Sequence, residues 1–218
     1  MSALHLDGPW MAFDLGAEMQ VLSWSLTRPG FVRARRIVWR EVRNADLTPN
    51  LDVLTWFHAE LAARGAADAV GLLTSRDIRA VTQARVTIGT VTARAVATVG
   101  LSNAERVGAR MDRAGKDWGT INIALRLDQP LSQAALLETM SIAVQARTTA
   151  VIEAGYRLPT GLATGTGTDC VAVAAPEGEI PYAGLHTAIG EAAGRAVYDA
   201  VRQGVTEWMQ SVRRPDDL

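Results

Sequence analysis

The sequence predicts an α+β fold: a single layered domain with a mixed or antiparallel β-sheet and about three main helices. Three observations carry that expectation. Strand-like segments outnumber helical ones and do not alternate strictly with them, which argues against a doubly wound sheet. Helical periodicity is sustained in only three stretches. No repeat, low-complexity tract or linker divides the 218 residues, a length that buries one core without staples.

The elements follow in order. Residues 1–18 read as a loosely ordered lead-in, residues 19–213 as the domain, and residues 214–218, with Pro215 and two aspartates, as a frayed end. The start lacks a basic segment before an apolar core and does not read as a secretory signal. Val21–Leu26 alternates apolar and polar, as a half-buried strand does, and Thr27–Gly30 is turn chemistry. Arg35–Val42 reads as a second strand, with Ile37, Trp39 and Glu41 on one face and Val38, Arg40 and Val42 on the other.

Thr48 as N-cap and Pro49 at the first helical position open a helix with Leu51, Leu54, Phe57, His58 and Leu61 at helical spacing, ended by Gly65. Ala69–Leu73 is a short buried strand, and a short helix is expected around residues 78–84. Val86–Leu101 holds two strand segments broken near Gly89 or Ala93–Ala95, and residues 102–118 read as loop. Gly119–Leu127 resumes as a strand whose polar members Thr120, Asn122 and Arg126 share a parity. Ser132 starts a long helix through Ala154 with the stripe Leu136, Met140, Ala143, Val144 and Val151, and Gly155 stops it. Val171–Ala175 reads as a buried strand. The last helix, residues 188–212, buries Ile189, Ala193, Ala196, Val197, Ala200, Val201, Val205 and Trp208. Gly190 and Gly194 on that helix would serve a homodimer contact or internal packing equally.

Composition narrows the function. A net charge of −1 leaves no basic footprint for nucleic acid, and Lys116 is the single lysine among 22 basic residues. No apolar run approaches a membrane span. Cys170 is the only cysteine, which excludes an intrachain disulfide and fits a reducing, cytoplasmic compartment. There is no GxGxxG, phosphate loop, zinc spacing or GxSxG elbow.

The segment that stands out is Thr164-Gly165-Thr166-Gly167-Thr168-Asp169, running into Cys170 and the Val171–Ala175 strand. Glycines let a backbone approach a ligand closely, and threonine hydroxyls donate and accept hydrogen bonds. The same residues also make an ordinary turn before a strand. His186 lies in a loop that leads into a helix, with Glu191 five residues on, a common way to place a base. His5 and His58 carry no such context. Asp77 and Asn103 follow apolar runs, where strand-end loops build sites, or serve as turn residues. Cys170 reads as a buried small hydrophobe more readily than as a nucleophile. A metal site of His186, Asp169 and Glu191 is conceivable, although no spacing demands it.

Five segments taken together, Gly71–Asp77, Ala97–Asn103, Gly119–Ile123, Thr164–Asp169 and Tyr182–Thr187, are similar in order and wording to the adenosylcobinamide amidohydrolase family of corrinoid salvage. The likeness runs from about Val21 to Trp208. It is weaker around Val38–Asn44, where family members often carry an asparagine after the strand and Trp39 and Arg40 stand here, so the resemblance implies no role for that segment. The resemblance implies hydrolysis of the amide that joins the aminopropanol arm to the corrin ring, yielding adenosylcobyric acid and aminopropanol. Some members also accept complete corrinoids with a non-native lower base. It implies a corrinoid substrate whose cobalt is the substrate's own, with no cofactor of the protein's. Nothing in it calls for nucleic acid or membrane.

The catalytic candidates are then His186, Asp169 and Glu191, with His186 or Asp169 activating water. The alternative is a threonine of the Thr164–Thr168 set as nucleophile. Thr164, Thr166, Thr168, Thr120, Asn122, Asp77, Asn103 and Tyr182 are candidate substrate-binding residues. Backbone amides of the Gly165–Gly167 turn, or Asn122, would hold the oxyanion. The competing reading is a non-catalytic corrinoid-binding protein. An anion nest in a phosphate enzyme ranks last, for want of a basic residue in the turn.

Overall fold

Met11, Phe13 and Leu15 alternate with Ala12 and Asp14, and all three are fully buried. That alternation marks a strand, so residues 3–18 are not the loose lead-in the sequence suggests. In the computed structural model, which describes residues 3–113 and 118–211, they form a hairpin of β1 (Ala3–Asp7) and the long β2 (Trp10–Ser23). Gly8, at φ 59°, turns the hairpin, and this turn hides the strand pattern in the sequence. The expected frayed end and Lys116 lie outside the described residues.

Next come β3 (Gly30–Glu41), α1 (Val53–Ala63), β4 (Val70–Thr74), β5 (Thr82–Ile88), β6 (Val91–Val99), the two-residue β7 (Ala104–Glu105) and β8 (Ile121–Leu127). The chain continues through α2 (Gln133–Ala154), the two-residue strands β9 (Arg157–Leu158), β10 (Gly161–Leu162) and β11 (Gly165–Thr166), then β12 (Cys170–Ala175) and α3 (Ala188–Ser211). The α+β class and three α-helices agree with expectation. α2 begins after its Ser132 cap and ends at left-handed Gly155, where the sequence places both. The break between β5 and β6 falls at Gly89, φ 58°.

Two local expectations give way. α1 begins at Val53, because the Asp52 carboxylate takes both the Thr55 N–H and its hydroxyl, at 3.2 and 2.6 Å. Thr48–Leu51 is a turn instead, and Leu54 and His58 point to solvent. The helix expected at residues 78–84 shrinks to a 3-10 turn, Ile78–Ala80, before β5 takes over.

The main sheet has eight strands in the order β4-β3-β2-β12-β8-β6-β5, with β1 on β2. β3–β4 and β12–β8 pair in parallel and the other pairs are antiparallel. On either side of a register shift in β2 between Asp14 and Met19, the strand keeps β3 on one edge and changes partner on the other, from β1 along its first half to β12 along its second. Such bulges bend and twist a sheet. The sheet curls until the end of edge strand β4 returns over β8 and β6: the Asn122 amide donates to the Leu73 carbonyl, and the Thr98 hydroxyl to Thr74 at 3.2 Å.

Besides a small cluster of Trp10 and Val38 with Phe57 and Leu61 of α1, two larger cores lie on either side of this curl. Inside it lie Met11, Phe13, Leu15, Ile37, Trp39, Leu72, Val96, Ala124 and Ala172. Outside, Ile121, Ile123, Leu125, Val171 and Val173 pack against α2 and α3. The eight apolar residues expected on the face of the last helix are all buried there. Burial of each Val or Ile contributes about 1.5–3 kcal/mol. The α3 glycines serve this packing: a Cβ on Gly190 would sit 2.2 Å from the Gly184 carbonyl, and one on Gly194 would be 3.3 Å from Ile142.

Candidate active site

Thr120 and Asn122 share the face of β8 that turns into the curl, as their parity predicts. There they meet the start of the neighbouring parallel strand β12, since Cys170 pairs with Asn122. β2, on the other side of β12, ends at Ser23, and Trp24 follows. The returning end of β4 adds Leu72, Leu73 and Ser75. Together with Leu47–Val53 these segments enclose a cleft of about 680 Å³ that includes Thr120, Asn122, Thr168 and Asp169. A second hollow of about 510 Å³ adjoins it, shares Trp118, Gly167 and Thr168, and includes Asn103.

The Thr/Gly segment is held by its acid. Asp169 accepts hydrogen bonds from Thr166 N at 3.0 Å, from the Thr166 hydroxyl and from Ile121 N at 3.1 Å. Its remaining partner is Arg147 of α2, in an ion pair whose side chains are 12% and 7% exposed. Burial lowers the Arg147 guanidinium to about 10, so it stays cationic at neutral pH. Gly165 is required here: a Cβ would fall 2.1 Å from the guanidinium and 2.5 Å from the Asp169 carboxylate.

Arg147 is a site residue that the motif reading does not contain. Its signal is present in the sequence, since it stands four residues after Ala143 and four before Val151, within the buried stripe of α2. A charged residue at a core position needs a buried partner.

The other threonines divide. The Thr168 hydroxyl donates to the Gly119 carbonyl at 2.7 Å and accepts from the Asn103 amide at 3.1 Å. The Thr120 hydroxyl reaches the Thr168 carbonyl at 2.8 Å and Asn122 Oδ1 at 3.1 Å. One amide hydrogen of Asn122 goes to Leu73, leaving a second. Thr164 instead accepts from Val107 N at 2.8 Å and, with Thr166, faces a small hollow on the far side of the turn. Cys170 borders the cleft, but burial pushes its thiol up to about 12, so it is not a thiolate nucleophile.

The structure does not bring the remaining candidates here. Asp169 precedes β12, whereas His186 and Glu191 come after it, at its other end. Their loop is fixed there by the Ala183 N–H on the Glu138 carboxylate at 2.7 Å and by Ser132 N on Ile180. A six-residue strand separates these ends by about 20 Å. His186, Glu191 and Tyr182 are exposed, Tyr182 at 69%. The conceived metal trio is therefore not assembled, and among the described residues no group of three His, Cys, Asp or Glu side chains is placed to hold a metal. Asp77 caps the 3-10 turn through Arg79 N at 2.8 Å and lines a different groove, beside Arg40, Arg43 and Arg79.

Comparisons with known proteins bear on this site. A family model described as adenosylcobinamide amidohydrolase matches residues 4–213. A Methanosarcina mazei protein named adenosylcobinamide amidohydrolase is 34% identical over 119 residues, which make up 50% of this chain and 54% of that protein. The chain thus aligns with about half the length of that curated relative. Among solved structures, the PH0078 protein from Pyrococcus horikoshii OT3 matches with a TM-score of 0.44 and 11% identity, covering 91% of this chain and 77% of that one. That likeness is too distant to carry an argument.

Proposed function

The chain belongs to the adenosylcobinamide amidohydrolase family, and from that premise we propose that it hydrolyses the aminopropanol amide of adenosylcobinamide, releasing adenosylcobyric acid and aminopropanol for corrinoid salvage. The observation that supports this most is the chemical character of the cleft. Among the described residues Asp169 is the only charged one lining it, and Arg147 balances that charge. The rest is apolar, aromatic or neutral and hydrogen-bonding, which suits an apolar macrocycle fringed by amide arms.

Amide hydrolysis needs a base, an oxyanion donor and groups that orient the arm. Among the described residues Asp169 is the one carboxylate in the cleft, and it already accepts a hydrogen bond from a hydroxyl. We assign it as the general base, oriented by Arg147 in the way a base needs a third group to hold it. The second amide hydrogen of Asn122 supports the developing oxyanion. Thr168, exposed at the junction of the two hollows, orients the arm. The cobalt is part of the substrate, and in this reading the protein needs no metal of its own. The lone cysteine fits a cytoplasmic setting. Among the described residues, no helix is long and apolar enough to cross a membrane.

The test is incubation of the purified protein with adenosylcobinamide, with and without chelator, and mass detection of adenosylcobyric acid. Product is expected in both arms. Product lost on chelation overturns the metal-free reading. A bound corrinoid without product makes the protein a binder.

A further inference from the structure

The six tryptophans fall into two groups. Trp10, Trp39 and Trp208 are core residues, exposed by 6%, 0% and 4%, and Trp56 is half-buried against Phe57. Trp24 and Trp118 are 46% and 54% exposed, and both line the 680 Å³ cleft. Large aromatic side chains left in water are an uncompensated cost unless something covers them.

Their placement follows from strand order. β2 and β8 flank β12 in the sheet. Trp24 leaves the end of β2, Trp118 comes just before β8, and the turn that carries Thr168 and Asp169 enters β12 between them. Neither segment is loose. The Trp24 indole N–H donates to the Asp169 carbonyl at 2.8 Å, and the Trp118 carbonyl accepts from the Ser75 hydroxyl at 3.1 Å. Leu26, itself 48% exposed, continues the apolar surface from Trp24. A ring held by its own hydrogen bond, as Trp24 is, binds at lower entropic cost because less rotamer freedom remains to be lost.

We infer that Trp24 and Trp118 grip the flat macrocycle of the substrate and so set which of its amide arms reaches the Thr168–Asp169 turn. The occupant is a broad apolar ring with neutral polar edges. Among the described residues that line this cleft, Asp169 is the one charge and no cation is present to pair with a phosphate, so the lining favours a neutral ring over an anionic partner. Trp24 has a second part: through its indole it joins the ring platform to the backbone of Asp169. This inference rests on the hydrolase reading above, and the experiment separates the two.

Adenosylcobinamide binding is measured by equilibrium dialysis, read from the corrinoid's own visible absorbance, together with KM and kcat. The proteins are the wild type, Trp24→Leu, Trp118→Leu and the corresponding Phe variants, each checked by thermal melting. Both side chains are half-exposed, so the variants should fold. Each Leu variant is expected to weaken binding and raise KM about ten-fold, as loss of one ring contact does, with kcat changed far less. Phe is expected to recover most of the binding at Trp118. At Trp24 it recovers less, because the bond to Asp169 is gone. Unchanged binding and KM in both Leu variants overturns the grip and leaves the hydrolase reading intact. A fall in kcat at constant KM also overturns it, since the rings would then act on the turn alone. If the wild type neither binds nor cleaves the corrinoid, the hydrolase reading fails and the grip fails with it.

Discussion

The two ends of β12 are built differently. At its start, Asp169, Thr166, Thr168, Thr120, Asn122 and Arg147 interlock around a cleft, with Thr120, Asn122 and the Arg147–Asp169 pair withdrawn from water. At its far end, Tyr182 and His186 lie open to water on a loop pinned by Glu138, and Glu191 is exposed in the first turn of α3. By residue type the second end looks the more chemical, since it holds the histidine. By environment the first end suits the proposed site better. Low dielectric, closed walls and fixed dipoles are what give a group catalytic leverage, and an exposed imidazole has none of them.

The sharpest way to break that comparison is Asp169→Asn. Turnover should fall by about 10²–10⁴, the range a general base supplies. Stability should drop by about 3–5 kcal/mol, because Arg147 is left as a buried, uncompensated charge. Steady-state kinetics and denaturant melts read the two separately. The double variant Arg147→Met/Asp169→Leu then recovers much of the stability and none of the activity. If it recovers activity, Asp169 is structural only.

Gly165→Ala comes next. The added methyl collides with the guanidinium and carboxylate of the pair, so several kcal/mol of stability should be lost, whereas Gly167→Ala, with nothing within 4 Å, should cost far less. Comparing their melting temperatures shows whether the motif's two glycines differ as the structure says.

Thr168→Val removes one donor and one acceptor at the cleft and should lower kcat/KM about ten-fold, the worth of one hydrogen bond.

Cys170 gives a pH test with a definite sign. Its folded value is raised to about 12, while an unfolded thiol titrates near 8.5. Above about pH 8.5 the unfolded chain therefore releases a proton that the folded chain keeps, and stability falls with rising pH by up to about 1.4 kcal/mol per unit. Melts at pH 7.5 and 9.5 should show the decline, and Cys170→Ala should flatten it. The same variant should keep its activity.

The smallest effect belongs to the far end of the strand. His186→Ala should keep near wild-type turnover and shift stability by less than about 0.5 kcal/mol, as exposed substitutions do. A large loss of turnover would move the site to the histidine and undo the comparison.

Much of this was legible in the chain. Period-2 alternation marked β3 and β8, apolar stripes with Ser132 and Gly155 marked α2, and the shared parity of Thr120, Asn122 and Arg126 marked one polar line along β8. The same alternation was present in Met11–Leu15, but turn glycines on either side disguised it. His186 misled because a loop before a helix says nothing about which end of a sheet it occupies. Trp24 and Trp118 could not be told from core tryptophans, since exposure is not a local property.

What the sequence by itself determined is what depends on neighbours along the chain: helix stripes, caps, turns, strand faces and the Thr/Gly/Asp motif. Only the tertiary structure decided which of these meet. The register shift in β2 curls the sheet, the curl brings the end of β4 onto Asn122, and strand order sets Arg147 against Asp169 from a helix 22 residues distant in sequence. Those contacts depend on pairings between remote segments, and a local pattern carries no record of them.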